Sequence, residues 1–337
     1  MLQALFLMIY AMGPPQPSSP PFWGDDLVSF EEVLSEVRLL SEENPDEAIL
    51  LLEGILGRYK SDYQLYETSW LLFQTFFEEG RYRECMTVWQ VEQARGLFFP
   101  ILPEHEAKLS SYKNYETILR ENDRLKGLAV QKHRASFEIR KPKNYDSKKS
   151  WPLLIVLHDD FSNICWMNQL WRSPLIEEQF LVAFLRSSEK VGSFAFSWSD
   201  EALEDVAFLY QQISRAYNID PERIVLGGYG KGASVALDAG LSHTVPAKGL
   251  LAFCPTENAL EMRLGKRSKE KKNKKKGVRA CLISSKKDPQ RSKVQRVTRL
   301  FKEYEMPHRV IGLAGHVCPG TGDFQQHIDE ALAFIME

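Results

Sequence analysis

From Leu27 to about Leu97, apolar residues return every three or four positions, the period of helices buried along one face. Leu27, Phe30, Leu34, Val37 and Leu40 predict a first helix, with Asp26 or Ser29 available as its N-cap. Asn44-Pro45 opens a second, carrying Ala48, Leu51, Leu52 and Ile55 and ending at Gly57. A third runs from Tyr63 to Glu79 with Trp70, Leu71, Phe73, Phe76 and Phe77 on its apolar positions. Gly80 stops it, and Tyr82, Cys85, Val88 and Val91 mark a fourth. Large apolar side chains at this spacing predict a packed core rather than a ligand platform. Ala107 to Lys126 reads as one charged connecting helix.

After Lys126 the period changes. Ala135 to Arg140 alternates as a half-buried strand does. Pro152–Leu157, Leu181–Leu185, Arg223–Gly228, Gly249–Cys254 and Val278–Ser284 are short continuous apolar runs. Helical stretches such as Glu201–Tyr217 and Ser292–Tyr304 lie between them. Strands buried on both faces read as unbroken apolar runs, and their alternation with helices predicts an α/β fold with a doubly wound, mostly parallel sheet. The expected organisation is a tail over residues 1–26, an all-α helical-hairpin domain with its connecting helix over 27–126, and the α/β domain over 127–337. The helix–turn–helix units around Gly80-x-Tyr82 weakly resemble tetratricopeptide-type hairpins.

Composition narrows the classes. The chain has 337 residues, 44% of them hydrophobic and 26% charged, enough for a substantial core. A formal net charge of -2 excludes a global pull on polyanions. The five cysteines, Cys85, Cys165, Cys254, Cys281 and Cys318, form no CxxC pair. That pattern predicts neither a disulfide framework nor a zinc site, and it fits a reducing, cytoplasmic setting. Met1–Met12 is apolar but lacks the basic start and small-residue cleavage site of a secretory signal, and Met12 offers a later start. No apolar stretch reaches the length of a membrane span, so no integral membrane association is expected. Neither a metal nor another cofactor is expected.

The informative segment runs from Tyr217 to Leu237. It reads as a strand, a glycine-dense turn and a helix. Gly228-Tyr229-Gly230-Lys231-Gly232 has the frame of a G-x-S-x-G nucleophile elbow with glycine in the place of serine. No Walker-type phosphate loop is present. Further landmarks follow in order: Trp151 to His158, Ser197-Trp198-Ser199-Asp200, Ala247 to Pro255, Ile283 to Pro289 and Leu313 to His316. On these residues the chain, from about Ala135 onward, resembles the phospholipase/carboxylesterase and dienelactone-hydrolase type of the α/β-hydrolase superfamily. The resemblance implies a catalytic acid at Asp288, a histidine at His316 and an oxyanion region at His158-Asp159-Asp160 and Lys231. It also implies a small acyl or ester ligand.

In such a site serine attacks an ester, histidine takes its proton, and backbone N–H groups hold the oxyanion. This chain departs twice. Gly230 has no hydroxyl, so no acyl-enzyme can form on it. His158-Asp159-Asp160 stands where the family pattern has His-Gly-Gly, and its carboxylates would repel a developing oxyanion. Ser234, one helical turn past the elbow, reads as a helix-packing serine, and Cys254 as a small buried hydrophobe. His158 reads as structural, while His308 and His327 stand in plain contexts. The leading expectation is therefore a hydrolase-fold protein without serine-esterase chemistry that binds a ligand or partner. The rivals are an enzyme using a His316–Asp288 pair on water, and an interaction adaptor.

The basic run Lys266–Lys276 qualifies the charge balance. It carries eight cations and one glutamate in eleven residues. Its bland reading is a solvated loop, and its sharper one is docking onto nucleic acid, anionic lipid or an acidic protein face. The acidic stretch between Asp25 and Glu47 could supply that partner from within the chain.

Overall fold

The helical period before residue 132 becomes a succession of helices in the computed structural model, which describes residues 30–59, 61–256, 278–285, 291–303, 305–313 and 323–337. These are α1 (Phe30–Glu43), α2 (Pro45–Leu56), α3 (Asp62–Glu78), α4 (Tyr82–Ala94), α5 (Pro103–Leu109) and α6 (Tyr115–Val130). Asn44 caps α2 by accepting the Glu47 N–H, and Ser61 caps α3 by accepting that of Gln64. Gly80, at φ +69°, turns the chain out of α3, a left-handed conformation that glycine adopts without a Cβ penalty. The single connecting helix expected over Ala107–Lys126 is instead two helices. A turn over residues 110–114 breaks it, and Leu109 and Tyr115 on either side of the turn are both buried.

The helical unit comprises the described residues up to Lys132 together with Lys190–Ala195. Its aromatics are core. Phe73 stacks on Trp70 and meets Trp89 and Phe99 edge-on. His105 presents its ring to Trp70, Phe73 and Phe77, and its Nδ1 accepts the Leu102 N–H. Burial holds its pKa below the usual histidine value, so it is a neutral packing group. Asn122 satisfies two of the donors this core encloses: its Oδ1 accepts from Trp89 Nε1 at 2.7 Å and from the Phe99 N–H at 3.0 Å.

The second unit, His133–Glu189 and the described residues from Phe196 onward, is built on one sheet. Its strands are β1 (Ser136–Arg140), β2 (Trp151–Leu157), β3 (Leu181–Arg186), β6 (Ile219–Tyr229), β7 (Gly249–Phe253), β8 (Arg279–Ser285) and β9 (His308–Leu313); the chain also has two-residue strands at β4 (Glu189–Lys190) and β5 (Phe196–Ser197). The seven-stranded order is β1-β3-β2-β6-β7-β8-β9, parallel throughout except for the antiparallel edge strand β1. The fold is therefore α/β with a mostly parallel sheet after a helical region.

Alternate residues of each strand enter opposite layers, which is why the sequence shows unbroken apolar runs. Leu153, Ile155 and Leu157 of β2 pack with α9 (Ala202–Ala216), α10 (Gly230–Leu241) and α11 (Arg291–Glu303). Leu154 and Val156 pack with α7 (Ile164–Leu170), α8 (Pro174–Gln179) and α12 (Asp323–Met336). The two small helices α7 and α8 have no counterpart in the sequence reading; they are too short to show a helical period.

Candidate functional site

Strand β6 ends at Tyr229 and α10 begins at Gly230, with no linker between them. Close approach explains the glycines of this turn. A Cβ on Gly228 would lie 2.5 Å from the Gly232 carbonyl carbon. One on Gly232 would drive into the carbonyl oxygens of Leu157 and His158, the last residue of β2 and the one after it. The turn is thereby pressed against the C-terminal end of β2. Gly230 itself stands at φ +54°.

That contact brings the residues after β2 over the turn. The Asp159 carboxylate occupies the space that a side chain on Gly230 would need; a Cβ there would overlap Oδ1, Cγ and Oδ2 alike. Two backbone N–H groups converge on its Oδ1. Lys231 donates from the first turn of α10 at 2.8 Å, and Asp160 donates at 2.8 Å. Burial pushes the Asp159 carboxyl up to about 6, against the opposing pull of those two N–H groups.

The neighbouring groups hold this arrangement from behind. Asp160 accepts the Ser197 hydroxyl at 2.5 Å, and its other oxygen lies 3.4 Å from Lys231 Nζ. His158 is buried and stacks on Trp198 at 4.7 Å between ring centroids. The Trp198 indole N–H donates to the His158 carbonyl at 2.7 Å. The Ser187 N–H donates to His158 Nε2, so the ring proton sits on Nδ1, which donates to the Asp159 carbonyl at 2.7 Å. Burial lowers the His158 pKa to about 4, so the ring is neutral. It supports the turn from beneath.

The other candidates separate clearly. Ser234 is buried, its Oγ accepting the Thr256 N–H at 3.1 Å. Cys254 is buried at the end of β7, its N–H donating to the Ile283 carbonyl at 2.9 Å. His308 bonds the Met306 carbonyl through Nδ1, and His327 lies 3.8 Å from Glu330. Asp288, His316 and the Lys266–Lys276 run lie outside the described residues, as do residues 1–26. Among the described residues no group of three or more His, Cys, Asp or Glu could hold a metal ion, and no helix is long and apolar enough to cross a membrane.

In the sequence alone, Asp159 and Lys231 belong to one site and Asp159 is only an obstruction. The convergence of two N–H groups on its oxygen, and the support from Ser197, had no local signal.

The pH dependence of stability offers a test of this geometry. Asp159 titrates near 6 in the folded chain, against about 3.9 unfolded. Its contribution is full below the unfolded value and lost as pH rises through 6. His158 runs the other way, from about 6.5 unfolded down to about 4 folded, so its contribution is lost as pH falls through that window. Asp159→Asn removes only the first effect. We expect the variant to exceed the wild type by about 1–2 kcal/mol at neutral pH, a figure reduced for the partial exposure of Asp159, with the gain vanishing near pH ~4. Urea denaturation of both proteins across that range measures the difference. A gain that stays constant with pH would rule the assignment out.

Comparison with known proteins adds a fold-level likeness. No protein-family model matches the sequence. No curated protein matches it either. Among solved structures the chain is similar to an uncharacterized protein from Bacillus cereus ATCC 10987, with a TM-score of 0.50 and 18% identity, covering 91% of this chain and 99% of that one. It is also similar to a phospholipase/carboxylesterase from Dyadobacter fermentans DSM 18053, with a TM-score of 0.45 and 15% identity over 60% of this chain and 97% of that chain. A carboxylesterase from Bacillus cereus gives a TM-score of 0.44 and 14% identity over 60% of this chain and 96% of that one.

Proposed function

We propose that this is an α/β-hydrolase-fold protein that lacks serine-esterase chemistry and acts by binding a ligand or partner. The observation that carries the reading is the Asp159 carboxylate seated over Gly230. In an elbow of the G-x-S-x-G kind, the oxyanion is held by the N–H of the residue after the nucleophile and by one from the loop after an earlier strand. On this reading Lys231 and Asp160 correspond to those two donors, which is supported by the bonds both make to Asp159 Oδ1. Their 2.8 Å distances are those expected of donors to an oxyanion.

Two deficits therefore coincide. Gly230 offers no hydroxyl to attack a carbonyl, and the donors that would stabilise the intermediate are engaged by an internal anion. An ester entering this space meets a carboxylate instead of a nucleophile. Removing either feature from a working site costs orders of magnitude in rate, and losing both leaves binding as the remaining use of the site.

The test is direct. Purified full-length protein, given short-chain p-nitrophenyl esters, is expected to show no turnover above that of buffer. Turnover that His316→Ala abolishes would overturn the reading in favour of a His316–Asp288 pair acting on water.

A further inference from the structure

Away from the elbow, α11 (Arg291–Glu303) buries its apolar residues on one face and exposes four of its five cations on the other. Val294, Val297 and Phe301 are buried at 3%, 4% and 1% exposure against the sheet. The opposite face exposes Arg291, Arg296, Arg299 and Lys302, and Glu303 is the helix's only acidic residue. Arg291 to Lys302 is a rise of about 16 Å along a straight helix. Two nearby surface cations are in ion pairs: Arg309 with Glu330 at 3.0 Å and Arg279 with Glu337 at 3.2 Å. Among the described residues, no carboxylate lies within ion-pair distance of Arg299 or Lys302. In a chain whose formal net charge is -2, this row is a strong local departure.

We infer that the exposed face of α11 is a docking surface for the phosphate backbone of nucleic acid, read without sequence preference. Cations spread over a rise of about 16 Å on this face can reach successive phosphates of one strand. Three of the four exposed cations are arginines, whose planar forks match phosphate oxygens in pairs. A lipid surface fits less well. Membrane-surface helices sink an apolar face between headgroups, and the apolar face of α11 is already used in the core. The exposed face also carries no aromatic ring on which bases could stack, so the contact is to the backbone.

The surface stands on α11 alone. The inference is independent of the elbow and would survive the discovery of esterase activity.

The experiment is fluorescence anisotropy of a labelled 20-nucleotide oligouridylate with full-length protein over about 50–200 mM salt, the range where counterion release is steep. The wild type is expected to bind, with log affinity falling linearly in log salt. R299E/K302E should weaken binding at least ~10-fold at the lowest salt. R299Q/K302Q, which removes charge without adding repulsion, should reduce the slope by about 1.4, or ~0.7 for each lost phosphate contact. Both positions are exposed, and thermal melts verify that the variants are folded. No binding by the wild type, or an affinity and slope unchanged in both variants, would overturn the inference. So would capture by phosphatidylserine vesicles at a salt concentration where the oligonucleotide is released.

Discussion

Gly230→Ser alone is expected to destabilise the protein by about 2–4 kcal/mol and to yield no esterase. Two physical terms add. The position sits at φ +54°, where a Cβ costs roughly 1–2 kcal/mol. The new side chain must also displace the Asp159 carboxylate, which breaks the bonds from the Lys231 and Asp160 N–H groups. Restoring the serine therefore does not restore the site. Pairing it with Asp159→Gly removes the overlap and frees both donors. The double variant should be more stable than the sum of the two single changes implies, by at least about 1 kcal/mol, as expected for groups in contact. Chemical denaturation of the four proteins measures this coupling. Strict additivity would show that Asp159 does not occupy the space over Gly230. Ester turnover by the double variant would in addition show that the acid and histidine read at Asp288 and His316 are competent.

The second large effect concerns Gly232. An alanine there would place its methyl against the Leu157 carbonyl oxygen at 2.6 Å and closer still to that of His158. Both neighbours are backbone, fixed by the sheet, so no rotamer change relieves the overlap. We expect Gly232→Ala to cost about 3 kcal/mol or more, at the upper end for overpacking, because α10 must lift from β2. Gly127, within α6 and with nothing inside 4 Å of a built Cβ, is the control. Alanine there should stabilise by up to ~1 kcal/mol through helix propensity. Paired urea melts distinguish the two, and a mild effect at Gly232 would contradict the close approach on which the site geometry rests.

Much of the architecture was legible because it is encoded locally. The three- and four-residue period of α1 to α4, the Asn44-Pro45 opening of α2, and Gly80 all act within a few residues of themselves. The continuous apolar runs marked β2, β3, β6, β7 and β8, since a strand covered on both faces has no polar alternation to show. Where local signals were weak, the reading failed. The charged stretch Ala107–Lys126 carried no mark of the turn that separates α5 from α6. The short helices α7 and α8 had too few residues for a period.

At the site, the sequence by itself determined the glycine-dense turn between strand and helix, the missing hydroxyl at Gly230, and two carboxylates after β2. Only the tertiary structure decided what Asp159 does. Its carboxylate meets the Lys231 N–H across 72 residues of chain, through the parallel pairing of β2 with β6 and the close packing of Gly232 against the end of β2. Read along the chain, Asp159 was an obstacle in a turn that favours bare backbone. In the fold it is the anion held by two converging N–H groups. That difference is one of placement, and side-chain placement across distant segments is set by packing rather than by any local pattern.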